Sequence, residues 1–221
     1  LANRALTLQG FSGGYGDSRF TGLEGTYDLS SANGGNLDLY TRADVNLAEL
    51  KNQLKEQEVA SQLYKFLGSL EELGGRSRVE VSIKRRITEP LQFEGKLTLD
   101  NVRARYNEYA LNEVQGDLAF SSKDISAEKI RAQVNGSPIQ VQLTLKDYDS
   151  AGGTFDLGVE SSGVRAGMLT SLLLDTGSPR DTGIVRGAIR YTGSFANKAQ
   201  GKFTGTLDLL NVQTRLKPLF Q

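Results

Sequence analysis

The sequence predicts a mainly β protein in which curved antiparallel β-sheet repeats form a groove or an open, taco-like solenoid, with one amphipathic helix per repeat. Three observations lead to this fold class. Apolar and polar residues alternate along many short segments, short turns separate these segments, and one segment occurs twice in the chain. Alternation is typical of half-buried strands, and short turns join strands that run antiparallel.

The repeated segment reads FEGKLTLDNVRAR at 93–105 and FTGTLDLLNVQTR at 203–215, with seven identities in thirteen positions at an offset of 110 residues. A weaker match at an offset of 119 relates 18–29 to 137–148. Self-similarity at a fixed period is typical of stacked arrays. We therefore expect a fragment of a longer array: the back half of a β-repeat that ends in a long helix (1–75), one complete β-repeat (76–181) and the front half of the next (182–221).

Period-two alternation predicts about six strands in the complete repeat. One face of these strands and of the following half repeat is apolar. Glycines on or near this face, such as Gly95 and Gly205, indicate strong curvature, since a missing side chain permits a sharp bend. The candidate groove residues are Val79, Val81, Ile83, Leu91, Phe93, Leu97, Leu99, Ile139, Val141, Leu143, Leu145, Phe155, Leu157, Val159, Phe203, Leu207 and Leu209.

Two segments show helical rather than strand periodicity. After Asn46, a candidate N-cap with Glu49 three positions later, leucines recur mostly at spacings of three and four until Gly74-Gly75. This pattern predicts an amphipathic helix over 46–73. A shorter helix is predicted over 164–175. The long helix is a candidate plug of the groove.

Composition restricts the chemistry. Lys+Arg and Asp+Glu both number 26, without a basic cluster, which argues against a nucleic-acid partner. The chain has no His and no Cys, the usual zinc ligands and common catalytic groups. We therefore expect no enzyme activity, no metal site and no cofactor.

Two interpretations of the apolar face remain open. In the first, the sheet coils on itself and the face is ordinary core, so the chain is a structural or adhesive scaffold that binds protein partners. In the second, a single helix leaves much of the face uncovered, and the concave side is a groove that holds acyl chains.

The order of elements resembles a known family. The motif FxGxLxLxNVxxR, followed by LNEVQGDLAFS and later by FDLGVESSGV, is similar to the repeated region of the AsmA-like proteins of Gram-negative envelopes, the group that includes TamB. This resemblance implies a periplasmic segment of an inner-membrane-anchored protein that supports outer-membrane biogenesis. It also implies that the apolar groove holds or conducts phospholipid acyl chains, and that other parts of the parent chain contact inner- and outer-membrane components.

Overall fold

Eleven strands form one antiparallel sheet in the computed structural model, which describes residues 5–28, 35–56, 68–87, 89–150, 152–167, 182–197 and 200–213. The order of the strands in the sheet is their order in the chain, so each strand pairs with its sequence neighbours. The mainly β, antiparallel fold class is thereby confirmed. The strands are β1 (Ala5–Tyr15), β2 (Ser18–Asp28), β3 (Leu37–Asn46), β4 (Glu71–Arg85), β5 (Gln92–Tyr106), β6 (Tyr109–Ser121), β7 (Ile125–Val134), β8 (Ser137–Lys146), β9 (Thr154–Arg165), β10 (Thr182–Ser194) and β11 (Lys202–Gln213).

Six strands, β4 to β9, lie mainly within 76–181, the number that alternation predicts for this stretch. Their connections are short. For example, the turn between β7 and β8 is formed by Asn135 and Gly136, both with positive φ. Asn and Gly tolerate this conformation better than other residues, which is why this dipeptide suits a tight hairpin. The exact limits of the repeats stay a prediction.

One face of the sheet is continuous from β5 to β11. Directly paired residues of an antiparallel sheet point to the same side, and side chains two residues apart on one strand do so as well. Phe203 pairs with Tyr191, which pairs with Leu157. An unbroken series of pairs then leads from β9 back to β5 through Phe155, Leu145, Ile125, Phe120 and Gly95. Phe93 and Phe203 therefore lie on the same side, as the repeat predicts.

The repeated Asn-Val dipeptide has the same backbone role in both copies. Asn101 and Asn211 both have a left-handed backbone, with φ of 51° and 52°. In the first copy Gly75 lies against this dipeptide, and a Cβ on Gly75 would come within 2.8 Å of the Val102 Cα. In the second copy Gly183 lies against Asn211 in the same way, and a Cβ on Gly183 would come within 2.6 Å of the Val212 Cα. Asn and Gly recur because the left-handed backbone and the close approach of the neighbouring strand recur.

The opposite face of the sheet is polar and carries cross-strand ion pairs. Lys96 Nζ lies 2.9 Å from a carboxylate oxygen of Asp117, and Arg190 pairs with Asp156. Hydrogen bonds from Thr98 and Lys96 lower the pKa of Asp117, and the bond from Arg190 lowers the pKa of Asp156. Exposed pairs of this kind contribute little to stability, because water and salt screen them. This face, called the outer face below, is the solvated side of the sheet.

The predicted long helix begins where the sequence predicts, directly after Asn46, but the helical segment ends before Gly74-Gly75. Helix α1 spans Leu47–Glu56, and residues 57–67 lie outside the described part of the chain. Gly68 and Ser69 are helical, but β4 begins at Glu71. The prediction that Gly74-Gly75 ends the helix is therefore wrong, because both glycines lie inside β4. Pairing of β4 with β5 satisfies the backbone groups of this segment, which local periodicity does not reveal.

The predicted helix over 164–175 also begins too early. Val164 belongs to β9, where it pairs with Val185 of β10. Ala166 and Gly167 are helical, and residues 168–175 lie outside the described part of the chain. Strand pairing again overrides the local helical spacing at the start of this segment. Neither segment confirms a complete helix in each repeat.

Helix α1 is fixed to the sheet by its N-terminus. The Asn46 side-chain oxygen accepts a hydrogen bond of 3.0 Å from the Ala48 N–H, which confirms the predicted N-cap. Glu49 does not reach back to Asn46. Instead its carboxylate accepts bonds from the backbone N–H of Asp17, at 2.8 Å, and from the Ser18 hydroxyl, at 2.6 Å. The helix thereby holds the turn between β1 and β2.

Glu49 gives this contact a pH dependence. The hydrogen bonds from Asp17 and Ser18 lower the pKa of Glu49 below its ordinary value. A carboxylate with a lowered pKa stabilises the fold above its unfolded pKa and loses that effect as the pH falls through the folded pKa. We expect the amide resonances of Asp17 and Ser18 to shift in this acidic range in an NMR titration, and Glu49→Gln to remove the transition. An unchanged titration in Glu49→Gln would show that another group controls the turn.

Candidate functional site

The candidate groove residues lie on one side of the sheet, which we call the apolar face. All of them except Leu91 are on strands β4, β5, β8, β9 and β11. Their register places them on the same side, through pairs such as Val79 with Leu97, Leu143 with Leu157, and Tyr191 with Phe203. Leu91 lies just before β5 and is 50% exposed. Sequence alternation thus found the residues that share this face, because Cβ direction alternates along a strand.

The side chains of the apolar face are only partly shielded from solvent. The candidates on β4, β5, β8 and β9 are half-buried, whereas those on β11 are exposed. Phe203 retains 59% and Leu209 63% of their possible exposure. Among the described residues, no large side chain is fully buried. In an ordinary protein core, side chains of this size are almost fully buried. The described side chains of the apolar face are less buried than that.

No second layer covers the apolar face in the part of the chain that the structure describes. Strands pack against their neighbours in the sheet, and α1 packs mainly against β4 and also against β3. The most buried apolar cluster is small and consists of Val164, Ala166 and Val185, where β9 meets β10. Among the described elements, the face from β5 to β11 therefore packs mainly within the sheet itself.

A pocket of about 380 Å³ lies on this face. Five candidate groove residues line it: Ile139, Val141, Leu157, Val159 and Leu207. The other candidates lie outside the pocket, along the same face. The pocket has further apolar lining that was not among the candidates, namely Leu70, Tyr106, Tyr109, Leu111, Val134, Val164, Val185 and Ile189.

Four of the residues missed by the candidate set illustrate why they were missed. Val185 and Ile189 share the alternation of β10, so the same period-two rule finds them once β10 is recognised as a strand. Tyr106 and Tyr109 flank the turn between β5 and β6, where alternation is interrupted. The fold around the turn places these two tyrosines in the pocket. The local sequence pattern does not predict this position.

Aromatic rings form contacts across strands at one rim of the apolar face. The rings of Tyr191 and Phe203 are stacked with centroids 4.2 Å apart, and Phe155 lies 4.9 Å from Tyr191. Phe93 and Phe120 make a similar contact at 6.3 Å. Such cross-strand aromatic pairs stabilise a sheet and fix its register. Contacts between aromatic rings therefore hold the strands together at this rim.

The chemistry of this face is apolar contact. Within the described ranges, no three acidic, His or Cys side chains are grouped so that they could hold a metal ion. None of the described helices has the length and apolar character needed to cross a bilayer.

An open apolar pocket on one face of a sheet whose opposite face is polar can bind a ligand or partner that is itself largely apolar. Compared with family models, with curated proteins and with solved structures, the chain matched none of them.

Proposed function

We propose that the apolar face is a groove that holds or conducts phospholipid acyl chains in the periplasmic segment of an AsmA-like envelope protein. In this proposal the parent protein is anchored in the inner membrane and supplies lipid for outer-membrane biogenesis. The single observation that carries the proposal is the apolar pocket on a sheet face that no described layer covers.

The physical basis is removal of apolar surface from water. An acyl chain on this face gains about 25 cal/mol for each Å² of apolar surface that both partners bury. The pocket is lined by branched aliphatic side chains such as Val141, Leu157 and Val159, which give contact without a directional bond. A ligand held in this way can slide along the face, because each dispersion contact is weak and the contacts can be exchanged one after another.

The repeat supports an extended rather than a local site. The apolar residues continue beyond the pocket, for instance at Leu97 on β5 and Leu143 on β8. These residues are half-buried in the sheet and lie on the side of the sheet that carries the pocket. A continuous apolar track of this kind suits a long chain molecule better than a compact ligand.

The alternative function is a structural or adhesive scaffold with a closed core. It requires a layer that buries the apolar face. The described elements supply none over β5 to β11, where side chains such as Leu207 remain 43% exposed. This exposure favours the groove, and the two functions differ in a measurable way, since only the groove binds lipid in stoichiometric amounts.

The test places a charge inside the pocket. Val141→Asp is expected to reduce photocrosslinking of the chain to a photoactivatable phospholipid in liposomes by roughly tenfold, because a carboxylate among apolar side chains repels an acyl chain and is costly to desolvate. Gln142→Asp is the matched control. It adds the same charge one residue away, on the outer face, and crosslinking is expected to remain close to that of the unaltered chain.

Circular dichroism of both variants first establishes that each retains its sheet. The measurement is then the ratio of crosslinked to free chain at equal protein and lipid concentrations. If folded Val141→Asp crosslinks lipid as well as Gln142→Asp does, the groove is wrong and the scaffold replaces it.

A further inference from the structure

The outer face of the sheet changes its character between its two halves. From β3 to β6, charged side chains pair across strands, as Lys96 does with Asp117. From β6 to β11, directly paired residues form one row across the six strands, and five of its six side chains are polar. The row consists of Gln115, Arg131, Gln140, Glu160, Ala188 and Thr206. Within the described ranges, none of these polar side chains is bonded to another residue, so their donors and acceptors are open to a ligand.

Two adjoining depressions lie along this row on the outer face. The first, of about 400 Å³, contains Gly158 of β9 and Ala188 of β10, where the outer face has no side chain or only a methyl group. The second, of about 380 Å³, extends toward β6 as far as Gln115. Gln140 and Glu160 line both depressions. Together the two depressions form one continuous feature from β6 to β11, which we call the polar trough.

The side chains around the polar trough suit a ligand that carries hydroxyl groups. The amides of Gln140 and Gln142 both donate and accept hydrogen bonds, as a sugar hydroxyl group does. The Glu160 carboxylate only accepts, and the Arg190 guanidinium only donates. Because charges of both signs border the trough, an anion or a cation meets a like charge there. A neutral ligand with many hydroxyl groups meets no such repulsion.

The spacing of the row favours a polymer of sugars over a peptide. Neighbouring strands lie about 4.8 Å apart, so the positions of the row recur at that interval. This interval is close to the length of one pyranose unit in a linear β-1,4-linked glycan. In an extended peptide, the side chains of one face recur about every 6.6 Å, which does not match.

We propose that the polar trough binds a neutral, linear β-1,4-linked glycan that lies across the strands, with about one sugar ring per strand. The trough is on the outer face, opposite the apolar pocket. Glycan binding is therefore independent of lipid binding, and neither depends on the other for its test.

The probes are cellohexaose and chitohexaose, and the measurement is the affinity of each for the full chain by isothermal titration calorimetry. Gly158→Val places a side chain inside the first depression, and we expect it to weaken binding at least about tenfold by steric overlap with the glycan. The φ of Gly158 lies outside the left-handed region, and an added Cβ has no neighbour closer than 3.4 Å, in Gln142. The sheet should therefore accept this substitution. Ala119→Val is the matched control, because it adds an equally bulky side chain to the outer face of β6 outside the trough, and it should leave the affinity unchanged.

Two further measurements make the outcome specific, after circular dichroism has established that each variant is folded. Gln140→Ala removes an amide where the two depressions meet, and we expect roughly fivefold weaker binding. This variant carries the test if Gly158→Val does not fold. Cellobiose is expected to bind at least about tenfold more weakly than cellohexaose, because it makes fewer of the hydrogen bonds along the row.

The proposal is overturned if the unaltered chain binds neither hexasaccharide. It is also overturned if folded Gly158→Val binds as well as Ala119→Val, or if Gln140→Ala binds as well as the unaltered chain. Equal affinity for cellobiose and cellohexaose would likewise contradict a glycan that lies across several strands.

Discussion

Val185→Asp is expected to lower the free energy of unfolding by about 4 kcal/mol. Val185 is only 3% exposed and packs with Val164 and Ala166 in the most buried cluster of the sheet. The partly buried residues around this cluster, Ile139 and Val212, are apolar too. A carboxylate there loses its hydration, and apolar neighbours do not replace it.

The measurement is urea unfolding followed by circular dichroism, with Ile184→Asp as the control. Ile184 is the preceding residue of the same strand and is 44% exposed, so we expect a loss of about 1 kcal/mol or less. Burial raises the pKa of a carboxyl group, so the loss in Val185→Asp should be smaller at acidic pH, where the group is protonated. Equal losses of unfolding free energy in the two variants would contradict the burial of Val185 in this cluster.

Gly95→Ala is expected to destabilise the chain by about 3 kcal/mol through steric overlap. A Cβ at this position would overlap the backbone carbonyl oxygen of Glu80 and would lie 2.7 Å from the Phe120 ring. A ring can rotate, but a carbonyl oxygen within a paired strand moves only with its backbone. The added methyl group therefore has to displace β4 from β5.

Gly68→Ala is the matched control for this substitution. Gly68 is helical, and nothing lies within 4 Å of the position that a Cβ would take. Alanine favours a helix more than glycine does, so this variant should be neutral or slightly stabilised. Thermal unfolding of both variants measures the difference. A Gly95→Ala protein as stable as Gly68→Ala would contradict the close approach of β4 and β5.

Much of the candidate site could be predicted because it depends on a local rule. Side chains alternate between faces along any strand, so Leu97 and Leu99 share a face wherever the strand lies. The internal repeat added that Phe93 and Phe203 correspond, and the register of the sheet agrees. Leu91 was the exception, since it satisfies the alternation but precedes the strand.

The helix limits could not be predicted because they depend on distant partners. The spacing of leucines and the Gly74-Gly75 pair are compatible with a helix and its end. Pairing of Glu71 with Arg105 and of Gly74 with Arg103 places this segment in β4 instead. The free energy that decides between helix and strand here comes from residues about thirty positions away, which a local pattern does not include.

The sequence by itself determined the mainly β class, the two faces of the strands and the correspondence of Phe93 with Phe203. It did so because alternation and turn chemistry act within a few residues. Only the tertiary structure decided which apolar residues surround one pocket, with Tyr106 of β5 and Leu207 of β11 among them, and which become buried, such as Val185. The physical reason is that burial and concavity depend on how distant strands approach one another. The alternation within each strand is the same whether its apolar face is enclosed or open.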